Sequence, residues 1–344
     1  MPKHSIVVTS INPPTFCMDR LAEGAATNHW TLIVAGDSKT PDEAYADRED
    51  IHYLSLASQK GAGYALSALM PERTYGRKMF GYLEAIAAGC DYLIDTDDDN
   101  RPIEGFFVPR DNPDFGGVSN GDCLTFRDSG WVNIYRYFAP AANIWPRGNP
   151  LSEIKTPLPC EASTEPFKAS IYQGLANGAP DVDAVHRLVH PHSGFLFEKR
   201  PPIQLAGGSW CAFNSQNTTW LPSVFPLLYL PLTCSFRMTD IYRGYIAQRI
   251  VRESGEGILF HGATVHQDRN EHSIIRDFQD EVMCYLDDGM FAKRLDALDL
   301  AGQPIEEMLR RCYELAASHA YVESRELAFL DAWITDCRNI GILP

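Results

Sequence analysis

The sequence predicts an α/β protein built around a parallel, Rossmann-like sheet, and three observations support this prediction. Short apolar runs typical of buried strands alternate with helical segments over residues 5–96. The fourth of these runs leads directly into a dense cluster of aspartates, Asp95-Thr96-Asp97-Asp98-Asp99. From Ser273 to the end the sequence is acidic with a helical period, which predicts an α-helical extension packed on the sheet.

The elements are predicted in order from their apolar runs and their start and stop signals. Four strands are expected at 5–9, 31–35, 51–54 and 92–95. Helices are expected to begin at Thr40-Pro41, where a capping hydroxyl precedes a proline, and to span 77–88 and 240–252. Residues 101–202 are irregular and rich in Pro, Gly and Asn, and so long an irregular region is usually functional or covers a site.

Composition limits the classes of function. The 344 residues carry a net charge of −15, from 30 basic and 45 acidic residues, which argues against nucleic acid as a partner. Nine cysteines without a C-x-x-C pair predict reduced, mostly buried thiols. Because no apolar leader or membrane-length segment is found, we expect a cytoplasmic protein without a transmembrane segment. The expected division is a catalytic domain at 1–270 and a helical extension at 271–344.

The aspartate cluster is the strongest chemical signal in the chain. Four carboxylates at the end of a buried strand repel one another, and a fold tolerates this where a cation binds. Mn²⁺ and Mg²⁺ prefer such oxygen ligands together with phosphate oxygens and water. The residues allow two Asp-x-Asp frames, Asp95/Asp97 and Asp97/Asp99; a solvated acidic turn or a structural Ca²⁺ loop are the alternatives. The cluster therefore predicts a divalent metal that holds a nucleotide diphosphate.

Residues before the cluster suggest the rest of a donor site. Arg77 and Lys78 begin the helix that precedes the fourth strand, where their charge and the helix N-terminus could face a diphosphate. The alternative for this pair is a solvated helix end. Asp37 follows the second strand and could accept a hydrogen bond from a base such as uracil, although a lone aspartate in a turn is more often a cap.

A second signal is the helix that Asp240 opens. An acid there could be an N-terminal cap, or a general base that deprotonates an acceptor hydroxyl. Arg243 and Arg249 lie on the same helix and could bind the acceptor or a phosphate. His266 follows an apolar run and could complete a metal shell or touch the diphosphate, although a lone histidine is more often structural. Short polar side chains that suit sugar hydroxyls, and also turns, are dense at 180–184 and 212–218.

Seven motifs in the same order resemble the plant Golgi STELLO proteins and their bacterial relatives. They run from about residue 5 to residue 270, and several are strings of six or seven residues. The matching segments are Ala35-Gly36-Asp37-Ser38-Lys39-Thr40-Pro41, Arg77-Lys78-x-x-Gly81-Tyr82, Ile94-Asp95-Thr96-Asp97-Asp98, Trp145-Pro146-Arg147-Gly148, Gly178-Ala179-Pro180-Asp181-Val182-Asp183, Phe213-Asn214-Ser215-Gln216-Asn217-Thr218 and Thr239-Asp240-x-x-Arg243-Gly244-Tyr245-x-x-Gln248-Arg249.

The resemblance implies a GT-A glycosyltransferase fold, with a Rossmann-like mixed sheet flanked by helices. It favours Asp95 and Asp97 as the Asp-x-Asp pair over Asp97 and Asp99, and His266 resembles the late histidine found near the metal in such folds. Asp99 stays a metal candidate from the acidic cluster itself, and the expected ion is Mn²⁺ or Mg²⁺. It places the base of an inverting reaction at Asp240. The remaining implied contacts to donor, sugar or acceptor are Asp37, Arg77, Lys78, Asp95, Arg147, Asp183, Asn214, Asn217, Arg243 and Arg249.

The predicted function is therefore a metal-dependent glycosyltransferase. It would move a sugar from a nucleotide-diphosphate sugar, with UDP favoured, to a saccharide or glycolipid acceptor, as in surface polysaccharide or glycolipid assembly. Two alternatives stay open: a nucleotide-sugar mutase that resembles UDP-arabinopyranose mutase, and a non-catalytic nucleotide-sugar-binding scaffold. The sequence leaves room for a homodimer.

Overall fold

One mixed sheet organises the molecule. The computed structural model describes residues 3–110, 115, 122–190, 194–268 and 273–344. The strands found there are β1 (His4–Thr9), β2 (Thr31–Ala35), β3 (His52–Leu54), β4 (Tyr92–Thr96), β5 (Asn100–Pro102), β6 (Asp122–Arg127), β7 (Ser163–Pro166), β8 (Ala169–Gly178), β9 (Ile203–Ala206), β10 (Asn217–Trp220) and β11 (Gly257–Gln267).

Helices flank this sheet, and short 3₁₀ turns join them to the strands. The α-helices of the described residues are α1 (Phe16–Asn28), α2 (Leu56–Gly61), α3 (Lys78–Ala87), α4 (Ile134–Phe138), α5 (Ala184–Val189), α6 (Thr239–Val251), α7 (Ile274–Asp287), α8 (Met290–Asp296), α9 (Ile305–Ser318) and α10 (Glu326–Asn339). The predicted α/β class, with a Rossmann-like mixed sheet and helices at the C-terminal end, is confirmed.

The strand order is β3-β2-β1-β4-β10-β8-β11-β9-β6-β7, and β5 pairs with β11. Strands β3, β2, β1 and β4 are mutually parallel, as their apolar runs predicted. Strand β10 then runs antiparallel to β4 and begins the mixed half of the sheet. The chain leaves β1 towards β2 on one side and returns to β4 on the other. The crevice between β1 and β4 is therefore the point where open α/β sheets bind ligands.

Two local expectations are corrected by the structure. The segment after Thr40-Pro41 forms a single 3₁₀ turn, Asp42–Ala44, and not a longer helix, because no apolar stripe continues after it. The region from 101 to 202, expected to be irregular, contains strands β6, β7 and β8. Strand β8 lies between β10 and β11 with both faces covered, so it lacks the alternation by which a half-buried strand is recognised.

The C-terminal helices pack against the sheet half of the molecule. Val7 of β1 and Trp333 of α10 belong to one continuous cluster of buried apolar residues. The Asp336 carboxylate accepts hydrogen bonds from the backbone of Ala65 and Leu66, at 2.6 and 3.0 Å, and ties α10 to the turn before α3. The predicted domain boundary at residues 270 and 271 lies outside the described residues.

The predicted state of the cysteines is confirmed, because all nine are thiols and six of them are buried. Among the helices that the structure describes, none has the length and apolar content needed to cross a membrane.

Candidate functional site

A cavity of about 580 Å³ opens at the carboxyl ends of the parallel strands. Segments after β1, β2 and β4 form one side, and α6 with the loop before β10 forms the other. The lining residues are Thr9, Ser10, Ile11, Asn12, Asp37, Lys39, Arg73, Thr74, Tyr75, Asp97, Asp98, Asp99, Arg147, Asp181, Asn214, Gln216, Phe236, Arg237, Asp240 and Gln267. Six residues predicted for the site therefore line this cavity, namely Asp37, Asp97, Asp99, Arg147, Asn214 and Asp240. The predicted Lys78 is buried behind it and contacts Asp97.

The aspartate cluster divides into an internal part and a cavity-facing part. Asp95 belongs to β4, and its side chain is fully buried. Its carboxylate lies 2.5 Å from Lys78 Nζ and 2.8 Å from Arg243 Nη1. Two internal cations neutralise Asp95, which does not line the cavity, whereas Asp97 and Asp99, the pair of the second possible frame, both line it. The choice between the two frames stays a prediction.

The three cavity-facing aspartates are each held by neighbouring polar groups. Asp97 Oδ1 accepts hydrogen bonds from the Tyr75 hydroxyl at 2.7 Å and Lys78 Nζ at 3.0 Å. Burial raises the pKa of this carboxyl, against the opposing effect of Lys78. Asp98 Oδ2 accepts a hydrogen bond from Ser10 Oγ at 2.6 Å, and Asp99 Oδ2 accepts one from Gln267 Nε2 at 3.1 Å.

The donor set of these carboxylates fits a divalent cation that also binds a phosphate ligand. Among the described residues, no three His, Cys, Asp or Glu side chains are arranged to hold an ion on their own. Mg²⁺ does not need such a cage, since it usually keeps several waters and takes one or two carboxylates together with substrate phosphates. His266 is not brought into the cavity wall; its Nδ1 lies 3.1 Å from Asp268 Oδ1.

Asp37 lines the cavity and is the second residue after the end of β2. One of its oxygens accepts a hydrogen bond from the Thr74 backbone at 3.0 Å. Arg77 Nε lies 3.4 Å from the other oxygen, but the Arg77 side chain is buried and donates to Gln59 Oε1 at 2.9 Å and the Met70 carbonyl at 3.1 Å. Arg77 therefore fixes the neighbouring loop, and the structure does not place it where a diphosphate would contact it.

Asp240 lies in the first turn of α6 and contacts a buried arginine that also lines the cavity. Arg147 Nη2 lies 2.9 Å from Asp240 Oδ2 and 2.7 Å from Asp181 Oδ2. Asn214 Nδ2 donates to the same Asp181 oxygen at 2.8 Å, and Arg237 lies 3.6 Å from its partner oxygen. Burial would raise the pKa of Asp181, but Arg147 and then Arg237 hold it below its ordinary value.

The other predicted residues lie away from the cavity. Asp183 caps α5 through the His186 backbone and accepts a hydrogen bond from Trp145 Nε1 at 2.6 Å. Asn217 donates to the Leu175 carbonyl within the sheet. Arg243 pairs with Asp95, and Arg249 donates to two carbonyls near α8. These side chains organise the fold around the site, and the structure does not bring them to the cavity.

The structure adds residues to the cavity that the predictions omitted. The Tyr75 hydroxyl links Asp97 to Ser215 Oγ, 2.6 Å away, and Ser215 lies beside Asp240. Lys39 and Arg73 line the rim, and neither has an ion pair within the described ranges. The quoted motifs already contained Lys39 and Asp181. For Tyr75 and Arg73 the only signal is their position directly before α3, since a parallel sheet places such a segment near the strand ends.

The chain matches proteins of one family along most of its length. Residues 237–343 match the family model described as STELLO glycosyltransferases. "Probable glycosyltransferase STELLO1" and "Probable glycosyltransferase STELLO2" of Arabidopsis thaliana are each 29% identical to it over 98% of this chain. The chain spans 44% and 45% of the length of these two relatives.

Two solved structures are more distant. Mannosyl-3-phosphoglycerate synthase from Rubrobacter xylanophilus is 12% identical with a TM-score of 0.39, over 88% of this chain and 78% of that chain. Glucosyl-3-phosphoglycerate synthase from Mycobacterium tuberculosis, in complex with Mg²⁺ and uridine-diphosphate, is 14% identical with a TM-score of 0.40. The match covers 88% of this chain and 80% of that chain. The sequence matches alone show that the chain is similar to the STELLO glycosyltransferases, which confirms the resemblance predicted from its motifs.

Proposed function

We propose that this protein is a glycosyltransferase that moves a sugar from a nucleotide-diphosphate sugar, with UDP favoured, to an acceptor hydroxyl. The observation that carries the proposal is the cavity between the ends of β1 and β4, into which Asp97, Asp98 and Asp99 face. Sheets of this kind bind ligands at that crevice, and clustered carboxylates there suit a divalent cation with a diphosphate. The relationship to the STELLO glycosyltransferases supports the same class of reaction.

The donor would lie across the parallel half of the sheet. Asp37 would accept a hydrogen bond from the base, and Asp97 and Asp99 would hold Mg²⁺ or Mn²⁺. When bound, the cation would neutralise the charge of the leaving diphosphate. Tyr75 and Lys78 hold one oxygen of Asp97 and so orient its carboxylate. Lys39, which lines the same cavity, offers positive charge to the phosphates.

The acceptor would be activated by Asp240. In an inverting transfer the acceptor oxygen bonds to the anomeric carbon, the bond from that carbon to the diphosphate oxygen breaks, and the acceptor proton passes to the base. Asp240 lines the cavity, but Arg147 and Ser215 contact its carboxylate. We propose that the acceptor hydroxyl replaces the Ser215 contact, while Arg147 keeps the carboxylate oriented.

The contact between Arg147 and Asp240 also favours one alternative. The Asp240 carboxylate is paired with the buried Arg147, and such a pair can bind a ligand but accepts a proton less readily. This arrangement would suit a non-catalytic nucleotide-sugar-binding protein. The variant Asp240→Asn separates the two functions. In a transferase this variant should lose turnover and keep donor binding. In a binding protein, whose only function is nucleotide-sugar binding, the variant should bind the nucleotide sugar as the wild type does. Release of a rearranged nucleotide sugar without any acceptor would indicate a mutase.

The first experiment is a thermal-shift series with nucleoside diphosphates and sugar nucleotides, each with Mn²⁺, Mg²⁺ or EDTA. A cognate donor should raise the melting temperature by mass action, and only with a metal. Asp97→Asn should remove this shift. Asp47→Asn, at an exposed aspartate outside the cavity, is the matched control and should keep it. A shift that is absent with every nucleotide, or that is indifferent to EDTA, would contradict the proposal.

A further inference from the structure

A second cavity, of about 480 Å³, adjoins the first. The two cavities have four lining residues in common, Arg73, Thr74, Tyr75 and Phe236, which form the wall between them. Thr239 lines the second cavity and Asp240, the next residue, lines the first. A molecule that occupies the second cavity would therefore reach the proposed base by passing over this wall.

The lining of the second cavity is apolar on one side. Leu69, Pro71, Leu232, Phe236 and Phe329 contribute apolar surface, and Phe236 is 57% exposed. The Phe236 ring meets the Tyr75 ring edge-on, with centroids 5.8 Å apart. A single exposed aromatic ring is common on protein surfaces, but apolar residues grouped around a cavity are typical of ligand-binding grooves.

Among the charged residues that line the second cavity, Arg73 in the shared wall is the one whose positive charge is not paired within the described part of the chain. The carboxylate of Glu72 is occupied by Lys60 Nζ at 2.7 Å, and Arg325 pairs with Glu323 at 2.8 Å. Arg73 has no ion pair or hydrogen bond among the residues that the structure describes. Its φ of +59° lies in the left-handed region, which a residue with a side chain adopts at a cost. Because Arg73 lines both cavities, a guanidinium without an ion pair among the described residues lies at their junction.

The C-terminal helices build part of this cavity. Phe329 lies on α10, and Arg325 is the residue directly before this helix. Glu326 is fully buried and accepts hydrogen bonds from the backbone of Leu232 and Thr233, at 2.9 and 2.8 Å, which fixes the opposite wall. The second cavity is thus a formed feature of the folded chain.

We propose that the second cavity binds the acceptor, and that the acceptor is a phosphomonoester that carries a hydrocarbon chain. Arg73 would contact the phosphate, since guanidinium groups bind phosphate with charge-assisted hydrogen bonds. The apolar wall would cover the chain, and the acceptor hydroxyl would extend over Tyr75 towards Asp240. This inference rests on the proposed function, because it names the class of acceptor for the same reaction.

The test uses hexyl phosphate as the probe, with hexanol and inorganic phosphate as its two halves, in titration calorimetry on the full chain. Wild-type protein should bind hexyl phosphate more tightly than either half. Arg73→Gln should weaken this binding by about tenfold. Leu69→Asp, which places a negative charge on the apolar wall only, should weaken it as well. Arg20→Gln, at an exposed arginine on α1, is the control and should leave it unchanged.

A second arm separates a membrane lipid from a water-soluble phosphomonoester. The wild-type protein is sedimented with phosphatidylcholine vesicles that contain phosphatidic acid. Co-sedimentation that is lost in Leu69→Asp would identify a membrane lipid as the source of the phosphomonoester. Binding of hexyl phosphate without co-sedimentation would identify the soluble source.

Nucleotide binding distinguishes a failure of the acceptor inference from a failure of the proposed function. Leu69 does not line the first cavity, so Leu69→Asp should keep the metal-dependent shift with the donor. If donor binding is present and hexyl phosphate does not bind, or binds to the wild type and to both variants with the same affinity, the acceptor inference is overturned and the proposed function stands. If no nucleotide binds while hexyl phosphate does, the second cavity is a phosphomonoester site and the transferase proposal fails.

Discussion

At the scale of single residues, neighbouring aspartates of one acidic run have different roles. Asp95 points inward from β4 to Lys78 and Arg243, whereas Asp97 faces the cavity with 28% of its side chain exposed. A buried carboxylate between two buried cations is part of an internal ion cluster, and removal of one partner leaves uncompensated charge. We therefore expect Asp95→Asn and Asp97→Asn to have different effects on the free energy of unfolding.

Asp95→Asn should lower the free energy of unfolding by about 3 to 5 kcal/mol, because Arg243 would lose its carboxylate partner inside the protein. Asp97→Asn should change it by less than about 1 kcal/mol, since one amide oxygen can still accept hydrogen bonds from Tyr75 and Lys78. Urea denaturation followed by tryptophan fluorescence measures both. Equal losses in the two variants would refute the division of the acidic run.

Asp183 should give the protein a measurable pH dependence. Burial raises the pKa of its carboxyl from 3.8 to about 6. Between these values the folded protein holds a proton that the unfolded chain has released. The contribution of Asp183 to stability therefore falls as pH rises from about 4 to about 6, by up to about 3 kcal/mol in total.

Asp183→Asn removes this titration and, at every pH, one acceptor for Trp145 or His186. The stability of wild type minus that of the variant should decrease as pH rises from 4 to 7. Urea midpoints at one-unit intervals measure this difference, and a value that is constant with pH would contradict the expectation.

At the scale of elements, α6 places chemistry on two sides of one helix. Every residue from Thr239 to Val251 is buried. Asp240 lines the cavity while Arg243 reaches Asp95 behind it, so a small shift of the helix would disturb both contacts. Gly244 allows the close approach: a Cβ there would lie 2.6 Å from the Phe213 carbonyl oxygen.

Gly244→Ala should destabilise the protein by about 1 to 3 kcal/mol, because a backbone carbonyl cannot yield cheaply and the clash outweighs the helix propensity gained. It should also weaken donor binding, since Phe213 is followed by the cavity residue Asn214. Gly61→Ala, at the exposed end of α2 with nothing within 4 Å of the new Cβ, is the control and should be neutral or slightly stabilising. Equal melting temperatures for the two variants would show that α6 tolerates displacement.

At the scale of the whole molecule, the sheet and the C-terminal helices share their buried apolar residues. Trp333 of α10 is fully buried, and its Nε1 donates to the Pro226 carbonyl at 2.9 Å. Leu309 and Tyr313 of α9 lie in the same cluster as residues of the sheet half. Each large apolar side chain that loses its cover costs about 1.5 to 3 kcal/mol, while domains of ordinary stability have about 5 to 15 kcal/mol in total.

A chain that ends at residue 270 should therefore not fold cooperatively. The expected result is exposed apolar surface, detected by dye binding, and no sharp thermal transition. Addition of the 271–344 segment in trans is expected to restore part of the native signal. A truncated chain that melts sharply and binds a nucleotide would instead support the predicted division into a catalytic domain at 1–270 and a separate extension.

The sequence by itself determined the parallel strands β1 to β4, the helical C-terminal region and the position of the acidic run at the end of β4. These features depend on local periodicity and on the directly adjacent residues, so they can be predicted without distant contacts. Strand β8 was missed because its cover comes from β10 and β11, which are far away in the chain.

Only the tertiary structure decided which candidates face the cavity. Asp95 turned inward because Lys78 and Arg243, which neutralise it, arrive from α3 and α6. Arg147 came to bridge Asp181 and Asp240 in the same way. A charged side chain is accommodated inside a protein only where an opposite charge meets it, and the folding of distant segments, not local spacing, sets where that happens.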